Sequence, residues 1–208
     1  MLPVSSILDA EEKILENHLI KKGDTIIIFG ENASPPKHLF PYFTMGCMHE
    51  FKTDTVSELI RSILELNPKP GEFSVKRHNV KTGGHSILEK LDISESQVTT
   101  ERIRYAIHIK EEVKTSIHLP LYIFPLIGIS LCGNTTDLEA TIWELPSEKF
   151  VGKLNISAKG DFVGLAYIVH LYLYPDTQKD ATQKLAKKII ETLTGLTINA
   201  ENEKSDED

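Results

Sequence analysis

Three stretches in the second half of the chain alternate apolar and polar residues with a period of two. Ile103, Tyr105, Ile107 and Ile109 alternate with Arg104, Ala106, His108 and Lys110. Leu138, Ala140 and Ile142 alternate with Glu139, Thr141 and Trp143, and Phe150, Leu154, Ile156 and Ala158 alternate with Val151, Lys153, Asn155 and Ser157. Successive side chains of a strand point to opposite faces, so this pattern marks half-buried antiparallel strands. Pro146-Ser147-Glu148-Lys149 supplies the turn between the last two. Three such strands in series predict a meander, running up at 103–111, down at 136–145 and up again at 150–159.

The remaining elements mix helix and strand. Residues 6–22 place Ile7, Leu8, Ile14, Leu15 and Leu19 at roughly helical spacing, between a capping serine and Gly23, and predict a helix. Thr25 to Phe29 is a β-branched run ending at Gly30, read as a buried strand. Thr55-x-x-Glu58 has the form of a capping box ahead of Val56, Leu59, Ile60, Ile63 and Leu64, which share a helix face. Phe73 to Val80 predicts a strand, Ile87 to Leu91 a short helix, and Thr177 to Leu193 a closing helix stopped by Gly195. The order is α-β-α-β-(α)-β-β-β-α. The expected fold class is α+β, with a single mixed, mainly antiparallel sheet, a three-strand meander and helices packed on it. Residues 1–198 are expected to form one domain, and 199–208 an acidic disordered tail.

The meander also locates two long apolar stretches. One, within 117–132, reads LPLYIFPLIGISLC; the other, 162–174, reads FVGLAYIVHLYLY. The first follows the first strand and the second leaves the third, so both belong at one end of the sheet. They are either extra core folded onto the sheet or a shared apolar surface for a partner subunit or a membrane interface. In the second case Tyr122, Phe124, Phe162, Tyr167, Tyr172 and Tyr174 are the candidate aromatic anchors of an apolar interface.

Charge narrows the partners. The net charge is −7, of which the last eight residues contribute −4 and the rest −3. With no basic block to neutralise phosphates, nucleic acid is not an expected partner. No run reaches the ~18 uninterrupted apolar residues of a membrane helix. The N-terminus meets charge by Asp9 and has no basic n-region, so no signal peptide is read in it. Cys47 and Cys132 form no disulfide framework; each can serve as a small buried hydrophobe, and a single bridge between them in an oxidising compartment is the open alternative.

No catalytic, cofactor or metal motif is legible. Cys47-Met48-His49-Glu50 lacks a second Cys or His at ligand spacing, and the spacing of His78 and His85 fits no zinc pattern. His18, His38, His108 and His118 are isolated, and His170 sits in an apolar run. There is no GxSxG elbow, Walker loop or GxGxxG. Glu111, Glu112, Glu139 and Glu144 lie in or beside strands, where solvation is the default. Three Asn-x-Ser/Thr triplets, at Asn32, Asn134 and Asn155, match the glycosylation pattern and are given no weight. No cofactor and no metal are expected. The alternative reading is an enzyme, perhaps a hydrolase, whose site is assembled in loops 31–51 and 78–86, where His49, Glu50, His78 or His85 would converge.

From 103 to 195 the chain runs through a strand (RIRYAIHIKEE), an apolar segment, a hairpin (DLEATIWELPSEKFVGKLNISAKG) and a closing helix (TQKDATQKLAKKIIETLTG). This arrangement resembles uncharacterised bacterial envelope lipoproteins. In these, a strand ending in Trp and an acid leads through a hairpin to a glycine and a terminal helix. Ala140-Thr141-Ile142-Trp143-Glu144 and Gly160 stand in those places. More loosely it resembles the N-terminal domain of TolB and the CsgG-like fold. The resemblance covers a little under half of the chain and has no catalytic residues to transfer. It implies a non-enzymatic periplasmic or cell-envelope protein, lipoprotein-like or an assembly accessory, acting through a protein partner or self-association. It implies membrane attachment only through a lipid anchor on a modified cysteine, which this sequence does not contain.

Overall fold

The computed structural model describes residues 5–14, 19–30, 54–67, 71–81, 83–124, 127–166 and 177–198, with backbone alone at 5–14, 115–124, 127–132, 134 and 161–166. Among the described residues six strands form one mixed sheet in the order β1-β6-β5-β4-β2-β3. In chain order the elements are β1 (Ser5–Ile14), β2 (Thr25–Gly30), α1 (Thr55–Leu66), β3 (Ser74–Arg77), α2 (Ile87–Leu91), α3 (Glu95–Thr100), β4 (Ile103–Phe124), β5 (Ile127–Glu144), β6 (Lys149–Ala166) and α4 (Thr177–Thr194). Strands β3, β2 and β4 run parallel, and β4, β5, β6 and β1 antiparallel. The fold is α+β with a three-strand meander, as the alternation requires.

The first element departs from expectation. Residues read as a helix over 6–22 instead supply the edge strand β1, paired with β6 from Ser5 opposite Gly160 to Ile14 opposite Gly152. The apolar residues of that segment fit the helical period only loosely, and the free edge of β6 offers a ladder of backbone groups that a helix would leave unpaired.

Two cores lie on the two faces of the sheet. On one, α1 and α4 pack Val56, Leu59, Ile63, Leu185, Ile189 and Ile190 against Ile26, Ile28, Tyr105, Ile107, Ile109, Leu138, Ala140, Ile142, Leu154 and Ile156. On the other, Leu91 and Val98 cover Ile27, Phe29, Ile103 and Ala106. A register shift between Ile142 and Trp143 sets Trp143 opposite Phe150. Phe150, expected to face inward, is therefore 40% exposed and Val151 is buried in its place. The glycine ending β2 has a packing reason: a Cβ on Gly30 would lie 2.5 Å from the Ile109 carbonyl oxygen.

Helix ends follow local chemistry. The N-cap of α1 is Asp54, whose carboxylate accepts from the Ser57 N–H, and not Thr55 as the capping-box spacing predicts. Burial pulls the Asp54 carboxyl upward, but hydrogen bonds from Ser57 and the Arg77 guanidinium outweigh it and hold it below its ordinary pKa. Replacing Asp54 by alanine is expected to cost about 1 kcal/mol, measured by urea unfolding. Being favoured as the anion, Asp54 adds stability above its unfolded pKa, and that share is lost as pH falls through its folded value. True capping boxes close α2, through Ser86 and Glu89, and α3, through Ser94 and Gln97.

Candidate functional site in the extension of the meander

The three meander strands outrun the helices that cover them. At ~3.3 Å per residue the 22 residues of β4 span about 70 Å. The 18 residues of α4 span about 27 Å. The described core reaches Val113 on β4, Thr136 on β5 and Ala158 on β6. Beyond it, β4 and β5 stay paired to Phe124 opposite Ile127, and β5 and β6 to Gly128 opposite Ala166. The described parts of the two apolar stretches, 117–124 and 127–132 of the first and 162–166 of the second, thus lengthen the strands at the same end of the sheet, and 167–174 lie outside the described residues.

Strand β5 serves as a ruler for the two faces, because its register with β6 is unbroken from Gly128 to Ile142. Its even positions line the helix side, since Leu138, Ala140 and Ile142 belong to the α1–α4 core. On the opposite face β5 reads Thr141, Glu139, Asp137, Thr135, Gly133, and then Leu131, Ile129, Ile127. Positions paired with these on β6 read Lys153, Asn155, Ser157, Lys159, Asp161, and then Val163, Leu165. On β4 they read His108, Lys110, Glu112, Lys114, Ser116, and then Leu119, Leu121. All three strands change from polar to aliphatic at the row Ser116–Gly133–Asp161.

The polar half of this face is cross-linked by ion pairs. Lys153 Nζ lies 2.7 Å from Glu139 Oε2, and Lys114 Nζ lies 3.1 Å from Asp137 Oδ2 and 3.4 Å from Glu112 Oε1. Hydrogen bonding to Asp137, with its charge and that of Glu112, raises the pKa of the Lys114 ammonium. Ser157 Oγ donates to Asp137 Oδ1 at 2.6 Å. Such exposed pairs add little stability, but they keep this half wetted.

The outer edge of β4 is guarded. Among the described residues its ladder with β2 ends at Gly30 opposite Ile109. Past that point come Lys110, Glu112 and Lys114, register shifts at Ile117/Leu119 and Tyr122/Phe124, and Pro120, which lacks an N–H. Charges, bulges and proline are devices that discourage strand addition.

At the base of the extension sits a polar cluster that sequence reasoning missed. Thr55 Oγ1 donates to Glu111 Oε2 at 2.6 Å. Gln178 Nε2 donates to Glu111 Oε1 and to Thr55 Oγ1, both at 2.7 Å. Beside it, the Thr136 and Thr177 hydroxyls share a hydrogen bond of 2.9 Å, both residues fully buried. Glu111 is therefore not a solvated strand carboxylate. The signal was its phase: it continues the inward series of Tyr105, Ile107 and Ile109, which Ile103, across a register shift, does not join.

Of the six aromatic candidates, Tyr122 and Phe124 lie in β4 and Phe162 in β6. Tyr122, opposite Gly128, and Phe162, opposite Cys132, take helix-side positions, and Phe124, opposite Ile127, takes the other face. Tyr167, Tyr172 and Tyr174 lie outside the described residues, as do Cys47, His49 and Glu50 of the alternative catalytic loop and the tail at 199–208. His78 Nδ1 bonds the neighbouring Asn79 carbonyl oxygen, and the His85 N–H donates to Glu89. Among the described residues no group of three or more His, Cys, Asp or Glu is placed to hold a metal ion, and no helix is long and apolar enough to cross a membrane.

No family model matches this chain, and no curated protein matches it. Among solved structures it is similar to a neuraminyllactose-binding hemagglutinin homolog from Helicobacter pylori, at 13% identity and a TM-score of 0.49, covering 88% of this chain and 91% of that one. It is also similar to the PelC dodecamer from Paraburkholderia phytofirmans, at 12% identity and 0.35, covering 89% and 99%. A DUF330 protein from Xanthomonas campestris matches at 12% identity and 0.36, covering 86% and 88%. All three are bacterial proteins, and at these values the likeness transfers no role.

Proposed function

We propose that the chain is a non-enzymatic cell-envelope protein, lipoprotein-like or an assembly accessory, that works through protein contacts made by the extension of its meander. The observation that supports this is the change of one sheet face from an ion-paired ladder to Leu119, Leu121, Ile127, Ile129, Leu131, Val163 and Leu165. Aliphatic positions gathered on one face of three neighbouring strands favour burial against something, at about 25 cal/mol for each Å² removed from water. A polar ladder beside them limits how far that contact can spread. Self-association falls within the proposal, with the apolar face of one copy meeting that of another. Residues 1–198 are read as one folding unit.

The envelope assignment follows the strand, hairpin, glycine and terminal-helix arrangement at 103–195, and the CsgG-like and TolB-like likeness belongs to the same reading. In this reading the protein faces the periplasm, and any membrane attachment is through a lipid on a cysteine supplied by the precursor. Fractionation of the native gene product tests it. Recovery with the envelope, from an acylated or processed N-terminus, is the expected result. A cytosolic form starting at an unmodified methionine contradicts it.

A further inference from the structure

Four elements meet at Glu111. It stands on β4 where the strand leaves the helix-covered part of the sheet, and its two carboxylate oxygens are held by Thr55 at the start of α1 and Gln178 at the start of α4. The adjoining Thr136–Thr177 bond ties β5 to the same end of α4. Helix N-termini carry exposed N–H groups and partial positive charge, so an anion between two of them is favourably placed. An apolar residue would fill the space without fixing a geometry, whereas here one oxygen accepts from Thr55 and the other from Gln178.

We propose that this carboxylate clasp is a conformational latch, which sets the order of the extension by fixing its exit against the N-termini of α1 and α4. The inference rests on reading the extension as the contact surface, but its test needs no partner. Removing the negative charge mismatches the clasp. A glutamine at 111 keeps one acceptor oxygen for two donors: turned one way its N–H₂ meets the Gln178 N–H₂, turned the other it leaves the Thr55 O–H without its acceptor. Exchanging both partners, with glutamine at 111 and glutamate at 178, restores one acceptor between donors.

Hydrogen exchange of the full chain reads the outcome. In wild type, amides of 115–135 are expected to be protected relative to unstructured chain. In Glu111→Gln their exchange is expected to quicken by about ten-fold, with amides of α2 and α3 unchanged. The double variant Glu111→Gln/Gln178→Glu is expected to return to within about three-fold of wild type. Three results overturn the latch: an unprotected extension in wild type, equal quickening everywhere in Glu111→Gln, or no recovery in the double variant. None of them depends on where the protein resides or what it contacts, so the latch and the proposed function fail separately.

Discussion

Replacing Ile107 by alanine is expected to lower the unfolding free energy by about 2–5 kcal/mol. Ile107 is fully buried at the centre of the sheet, opposite Ile28 on one side and Ile142 on the other. Its side chain is part of the core formed with α1 and α4. Neighbours fixed in two ladders collapse poorly into a cavity, so the transfer loss and the void add. Against a total of about 5–15 kcal/mol for a domain, this is a large fraction. Urea unfolding reads it as a lower midpoint at an unchanged slope. Lys110→Ala, on the exposed side of the same strand, is expected to change stability by no more than about 0.5 kcal/mol.

The buried threonine pair gives a second large effect, with a diagnostic sign. Thr136→Val leaves the Thr177 hydroxyl buried without its partner and is expected to cost about 1–3 kcal/mol. Thr177→Val does the same to Thr136. The double substitution removes both hydroxyls at nearly constant shape, so it is expected to cost less than either single change. A double-mutant cycle by urea unfolding checks this, and additive losses would mean that the hydrogen bond is not what joins these residues.

What could be read from the sequence depended on period. The alternation at 103–110, 138–143 and 150–158 located three strands and placed their apolar exits at one end, because a period of two is unambiguous when one face is buried. It misplaced Phe150, since a bulge changes the phase without a mark in the sequence. Residues 6–22 were misread because the demand for an edge partner on β6 is tertiary. Helix α3 was legible from Ser94-x-x-Gln97 and passed over. At the candidate site, the apolar stretches were visible as composition, but the aliphatic face was not. It appears only when Leu119, Leu131 and Val163 fall into one row, across a register shift at Ile117/Leu119. The Glu111 clasp joins residues 56 and 67 positions apart, beyond the reach of any local pattern.

The central claim is that the aliphatic half of this face makes protein contacts and the polar half does not. Photo-crosslinking in cells tests it most directly, with a photoreactive residue placed singly at 119, 129 or 131 and, for comparison, at 110, 139 or 155. The account predicts discrete protein adducts from the first set, a crosslinked dimer of the chain among them if copies self-associate, and few from the second. Equal labelling from both sets, or no protein adduct from 119, 129 and 131, would contradict it.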